Sequence, residues 1–169
     1  MAGQAGPGVV TPRLRSGLVL LAAAVLLVVA LHPRGPVEFY WLPLSAGVAF
    51  LAAAAVSGRP GRMWEAGFVL TGWGVSVALV LGDVLTVDPE VAYLVGTGLG
   101  VLAARAAARR FRLRVTFVGL ALAVLYVVLS YLWSRYAPDS LRTEPAVFAA
   151  LIGLRGLVEV LASRRRRVV

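Results

Sequence analysis

Along this chain, six apolar stretches alternate with short segments that hold nearly all of the charge. The first runs from Ser16 to Leu31, preceded by Arg13 and Arg15 and closed by His32, Pro33 and Arg34. The second covers Phe39 to Ser57 and ends in Gly58, Arg59, Pro60, Gly61 and Arg62. A third spans Trp64 to Gly82 and stops before Asp83, and a fourth covers Val91 to Ala108 with Arg105 in its last turn. The fifth is Val115 to Trp133; the sixth follows the polar segment 134–145 and runs to Ser163, ahead of Arg164 to Arg167. Each is close to the roughly 20 apolar residues that a membrane-crossing helix needs. The pattern predicts an all-α membrane protein, a compact bundle of six transmembrane helices. Residues 1–12, small and polar with Gly and Pro, read as a disordered tail, and 13–169 as a single polytopic membrane domain. The basic start also suits a signal peptide, but no small-x-small cleavage motif follows it and more spans do.

Arginine placement gives the expected orientation, because cytoplasmic loops are enriched in basic residues. With the N-terminus inside, six spans put 13 of the 17 basic residues on the cytoplasmic side, with Glu65 as the only acid there. The outside then holds Arg34, Arg135 and Arg142 against Glu38, Asp83, Asp88, Glu90, Asp139 and Glu144. Removing any one span would scramble this separation, so both termini are expected in the cytoplasm.

The even-numbered spans share a grammar. Each follows an acid- and proline-bearing entry and ends on arginine. Setting Gly47, Gly98 and Gly153 in register aligns Arg59, Arg110 and Arg165 as well. This suggests three sequential helical hairpins, about 13–62, 63–114 and 115–169. The plainer alternative is that any even-numbered span must enter outside and leave on arginine, which imitates a repeat.

Composition agrees with a membrane class: 60% of the 169 residues are hydrophobic, 15% are charged, and the mean hydropathy is +0.85. A soluble domain of this size needs more charge to cover its surface. There is no cysteine, which excludes disulfides and thiolate metal sites, and no lysine, which excludes Schiff-base cofactors. The lone His32 cannot build a multi-histidine metal site, so no metal and no cofactor are expected. A net charge of +9 would suggest nucleic acid in a soluble protein. Here the arginines flank apolar spans without interleaved polar and aromatic residues, which argues against nucleic acid and for the lipid bilayer. The expected location is a prokaryotic plasma membrane.

Close packing is expected on small-residue faces, since burial of apolar surface does not drive helices together in lipid. Gly96, Gly100 and Ala104 recur every four residues on the fourth span, and Gly67 and Gly74 mark a similar face on the third. On the fifth, Thr116, Gly119, Ala123, Tyr126 and Ser130 form a face whose hydroxyls would be wasted against lipid.

Candidate chemistry is sparse. Arg155 lies near the centre of the sixth span and Glu159 one turn later on the same face. Intramembrane charges are costly and mark functional sites by default, here a solvated cavity or ion path. The structural alternative is a buried pair that locks helices together, whose rupture would cost about 3–5 kcal/mol, or two side chains snorkelling to the interface. Asp83, Asp88 and Glu90 could gather a cation, although a solvated acidic loop has the same composition. Phosphate-binding glycine loops followed by lysine, His-Glu-x-x-His and Gly-x-Ser-x-Gly are all missing, so catalysis is not expected. Two functions fit. One is an accessory, assembly or scaffold component that meets a membrane-protein partner or a second copy through helix contacts. The other is a small ion or solute transporter or channel with a polar site near Arg155 and Glu159. A polar cavity reaching that pair would favour transport, and a dry packed bundle the accessory role.

Overall fold

Proline and short polar side chains decide where the helices begin. The computed structural model describes residues 11–30, 39–61, 63–136 and 144–165. These form six α-helices: α1 (Pro12–Ala30), α2 (Leu42–Ser57), α3 (Trp64–Leu81), α4 (Pro89–Phe111), α5 (Phe117–Tyr136) and α6 (Glu144–Arg165). No strand occurs among the described residues. The second helix was expected from Phe39, but Phe39–Trp41 form a 3₁₀ turn and α2 starts at Leu42. Pro43 accounts for this, because proline fits the first turn of a helix and not its interior. The fourth helix starts two residues earlier than its apolar run. Asp88 caps it by accepting from Glu90 N at 2.8 Å and Val91 N at 3.3 Å, and Pro89 follows. It ends at Arg112 in the left-handed region, φ 53°, so Arg105 lies inside a 23-residue helix. Thr116 opens α5 by accepting from Gly119 N at 3.1 Å.

Three helices, α1, α3 and α4, are long and apolar enough to cross a membrane, and α2 and α5 contribute shorter apolar helices. Helix α6, which carries Arg155 and Glu159 in its middle, belongs to neither group among the described residues. Large apolar side chains such as Leu26, Leu94 and Phe117 stand on the exterior, a surface that suits lipid tails rather than water.

Helix α3 is the hub. It packs against α2, α4 and α5, while α1 bridges α2 to α6. One face of α3 takes α2: a Cβ on Gly67 would lie 2.9 Å from Leu51 N, and one on Gly74 would strike Leu44 and Pro43 backbone. The pairings Leu51 with Gly67 and Leu44 with Gly74 show the two helices running antiparallel. A second face, nearly opposite the first, takes α4. There Gly72 meets Gly96 and Gly100, and a Cβ on Gly100 would sit 2.7 Å from Phe68 O. Gly96, Gly100 and Ala104 are the buried residues of α4. The α1–α6 contact rests on Gly17 and Gly156, where a Cβ on either would come within 2.9 Å of the other's carbonyl oxygen.

The pairing differs from three packed hairpins. Consecutive helices pack in α1–α2 and α3–α4, but α6 seats mainly on α1 and α5 on α3. The Gly17–Gly156 approach holds α6 away from α5. Nor do the register glycines share surroundings: Gly47 abuts Thr71, Gly98 has nothing within 4 Å, and Gly153 meets only Ala24 Cβ at 3.5 Å.

The two kinds of glycine on α4 separate experimentally. Gly100→Leu, which must push into α3 backbone, should lower the unfolding free energy by about 1–3 kcal/mol or more. Gly98→Leu, which enters open space, should leave thermal unfolding in detergent unchanged. Equal melting temperatures for both variants would show that the α3–α4 contact contributes nothing.

Candidate functional site

Of the buried polar and charged residues described, Ser16, Glu65, Glu159 and Ser163 lie toward the arginine-rich end, and Ser76 lies farther along α3. Arg155 Nη2 donates to Glu159 Oε1 at 2.7 Å, an ion pair one turn long on α6. Its two halves are unequal. The Glu159 side chain is 11% exposed and that of Arg155 42%. The pair is therefore not a fully buried lock: a buried carboxylate is held by a guanidinium that keeps contact with open space.

That space is divided. Glu159 lines a cavity of about 480 Å³ at the arginine-rich end, together with Arg13, Ser16, Ser57, Arg114 and Ser163. Each of these serines donates its hydroxyl proton to its own helix: Ser16 to Arg13 O, Ser57 to Ala53 O and Ser163 to Val160 O. A hydroxyl that has donated can only accept further. The cavity wall therefore presents acceptors at the serines and Glu159, and donors at Arg13 and Arg114. Its floor is fixed by turn contacts. Arg114 N donates to Arg59 O at 3.1 Å, tying the loop after α2 to the connection between α4 and α5, and Trp64 Nε1 donates to Gly58 O at 3.3 Å, tying the same loop to the start of α3.

Arg155 faces a second cavity of about 380 Å³, lined by α2, α3, α5 and α6. Met63, which is buried, lines both spaces and stands between them. The second cavity also contains a residue that the sequence pattern marked only as the one acid on the cytoplasmic side. Glu65 is 4% exposed in the first turn of α3. Its Oε1 accepts from Thr116 N at 2.8 Å and from Thr116 Oγ1 at 3.1 Å. Its Oε2 is buried and has no hydrogen-bond partner. Gly119 makes room for this carboxylate, since a Cβ there would lie 2.7 Å from Oε1. Gly119, Ala123 and Tyr126 of the small-residue face on α5 all line the cavity. Thr116 and Gly119, three residues apart beside Arg114, were the signal that a buried acceptor waits nearby.

The acidic segment resolves into separate tasks. Asp83 ends α3 in the left-handed region at φ 54°, and Asp88 caps α4. Glu90 accepts from Tyr131 OH at 2.7 Å and pairs with Arg135 at 3.4 Å. Among the described residues no three His, Asp or Glu side chains gather as metal ligands. His32, Glu38, Asp139 and Arg142 lie outside the described residues.

Compared with family models, curated proteins and solved structures, the chain matches none. Function must be argued from the site itself.

The unequal exposure of the pair predicts unequal variants. Arg155→Leu strands the buried Glu159 carboxylate and should cost about 1–3 kcal/mol. Glu159→Leu leaves a guanidinium with access to open space and should cost no more than about 1 kcal/mol. The double variant should recover most of the loss. Identical melting temperatures for both single variants would mean that the two charges act independently at the membrane interface.

Proposed function

We propose that the protein is a small six-span membrane carrier whose solute site lies by the Arg155–Glu159 pair. The observation that supports this most directly is the position of the pair between two cavities. Glu159 borders the space at the arginine-rich end, and Arg155 borders the space inside the bundle. A dry, close-packed bundle would have no use for either. A charged pair at the junction of two spaces can hold a polar group and pass it from one to the other, at little cost while the charges neutralise each other.

The same reading orients the chain. The arginine-rich end, with both termini, faces the cytoplasm in keeping with the bias of basic residues. The 480 Å³ cavity is then a cytoplasmic vestibule. Helix α6 completes the six spans because its two charges cancel and Arg155 is open to the cavity.

An accessory role has one observation on its side. Helices α4 and α5 both pack on α3 and meet each other at Glu90, Tyr93, Tyr131 and Arg135, leaving an apolar groove of about 630 Å³ between them. The buried Trp73 Nε1, which lines that groove as part of Trp73, has no hydrogen-bond partner. A helix of another protein could cover this face.

Single cysteines in this cysteine-free chain decide the matter. Ser57→Cys should resist a membrane-impermeant thiol reagent in intact cells and react in inverted vesicles, and Ser140→Cys should do the reverse. The opposite pattern would overturn the six-span orientation. Ala123→Cys, inside the bundle cavity, should react from the cytoplasmic side quickly and from the outer side slowly, as a carrier that alternates its access requires. Reaction from the cytoplasmic side alone, or from neither, would reject the carrier and leave the accessory role.

A further inference from the structure

The cavity between α5 and α6 has a polar end and a lateral mouth, and together they specify a ligand. Its polar end is set by three groups. Arg155 is bound to Glu159, and Glu65 stands across the same space with Oε2 buried and unpartnered. Of these, Glu65 and Arg155 line this cavity, while Glu159 lines the neighbouring one and pairs with Arg155. Because the Arg155 charge is taken up by Glu159, the carboxylate left without a paired cation among the described residues is Glu65. A buried carboxylate oxygen without a donor is costly, and native structures supply the missing partner. The protein supplies none to Oε2 among the described residues.

The rest of the cavity is apolar. Phe50, Leu70, Ala123 and Ile152 line it from four different helices. Its mouth lies between Leu122 of α5 and Leu151 of α6, which line the cavity while 60% and 43% exposed, on the lipid-facing exterior. A ligand can therefore enter sideways from the bilayer with a hydrocarbon tail. An ammonium head brings three donors and one positive charge to Glu65. An anionic head would meet the Glu65 carboxylate instead, and could reach Arg155 only in competition with Glu159.

We propose that this cavity binds a short-chain cationic amphiphile, with its ammonium head on the Glu65 carboxylate and its tail between α5 and α6. The inference rests on the carrier reading and narrows its solute to an organic cation. It also gives a reason for the separation of two consecutive helices: the space that α6 leaves by seating on α1 is the binding site. Tyr126 and Phe50 place aromatic rings along the same walls, which favours a cation over a neutral head.

The test uses the full chain, purified in maltoside micelles, with three probes of equal tail length: octylammonium, octanol and octanoate. Two readouts are taken, the unfolding temperature and the rate at which a hydrophobic carbodiimide labels Glu65, followed by mass spectrometry. Octylammonium should raise the unfolding temperature saturably and protect Glu65 from labelling, and octanol and octanoate should do neither. Glu65→Gln should weaken the octylammonium response at least about tenfold, the factor that one charge-assisted hydrogen bond supplies. If that variant does not fold, head-group ranking and protection in the wild-type chain decide alone. Equal responses to octylammonium and octanol overturn the inference, because Glu65 then selects nothing. A preference for octanoate also overturns it, yet leaves a solute site at Arg155 and the carrier reading in place. No saturable response to any probe removes the cavity as a binding site. The carrier reading then falls only if Ala123→Cys is also unreactive from the outer side.

Discussion

Helices in a bilayer gain nothing by hiding apolar surface from one another, since lipid tails are as apolar as leucine. What remains is contact, and contact depends on how near two backbones can come. In this protein glycine makes several of the close approaches. Gly67 and Gly74 admit α2 to one face of α3, Gly72 meets Gly96 and Gly100 on another, and Gly17 meets Gly156 across α1 and α6. Helix α3 collects neighbours because it carries glycines on two faces. Helix α6 goes to α1 because its glycine has a partner there.

That choice opens the interior. Had α6 packed on α5, Arg155 would have faced a closed seam, and its charge would have demanded a second acid. With α6 drawn to α1, Arg155 keeps contact with a cavity and satisfies itself with Glu159 one turn away. The Glu65 carboxylate is affordable for a similar reason. It is anchored through Oε1 by two donors of Thr116, a residue already committed to capping α5, so one side chain starts a helix and holds a buried acid. Gly119 gives the carboxylate its place. Small residues therefore do two jobs here. On α3, α4 and α6 they bring backbones together, and on α5 they leave room.

Much of this was legible in the chain. The six helices fall where the apolar runs lie, and the errors at their ends trace to proline and caps: Pro43 shortens α2, while Asp88 and Pro89 lengthen α4. Which small-residue face meets which helix was not legible. Spacing by four identifies a face that permits close approach but names no partner. Gly98 lies two residues from both Gly96 and Gly100, and it meets nothing. The burial of Glu65 was not legible for a related reason. Beside Arg59 and Arg62 it looks like one more loop charge, and only its partner fifty-one residues away, Thr116, reveals it as a buried group. Long-range partners of this kind leave little trace in local pattern.

The charges, finally, divide the molecule by depth as well as by side. At the arginine-rich end the guanidiniums are numerous, but the buried ionic groups are carboxylates: Glu65 at 4% and Glu159 at 9% exposure. The arrangement has a physical logic. Arginine has a long apolar stem and can send its charge outward to water or headgroups, whereas glutamate is too short to escape once its backbone is buried. A helix that places glutamate inside must therefore bring a donor to it or leave one oxygen wanting. Glu159 has Arg155, and Glu65 Oε1 has Thr116. Glu65 Oε2 has none among the described residues. It shares this with Thr71 Oγ1 and Trp73 Nε1, but it alone belongs to an acid, and its residue lines a largely apolar cavity: it points outside the chain for its partner.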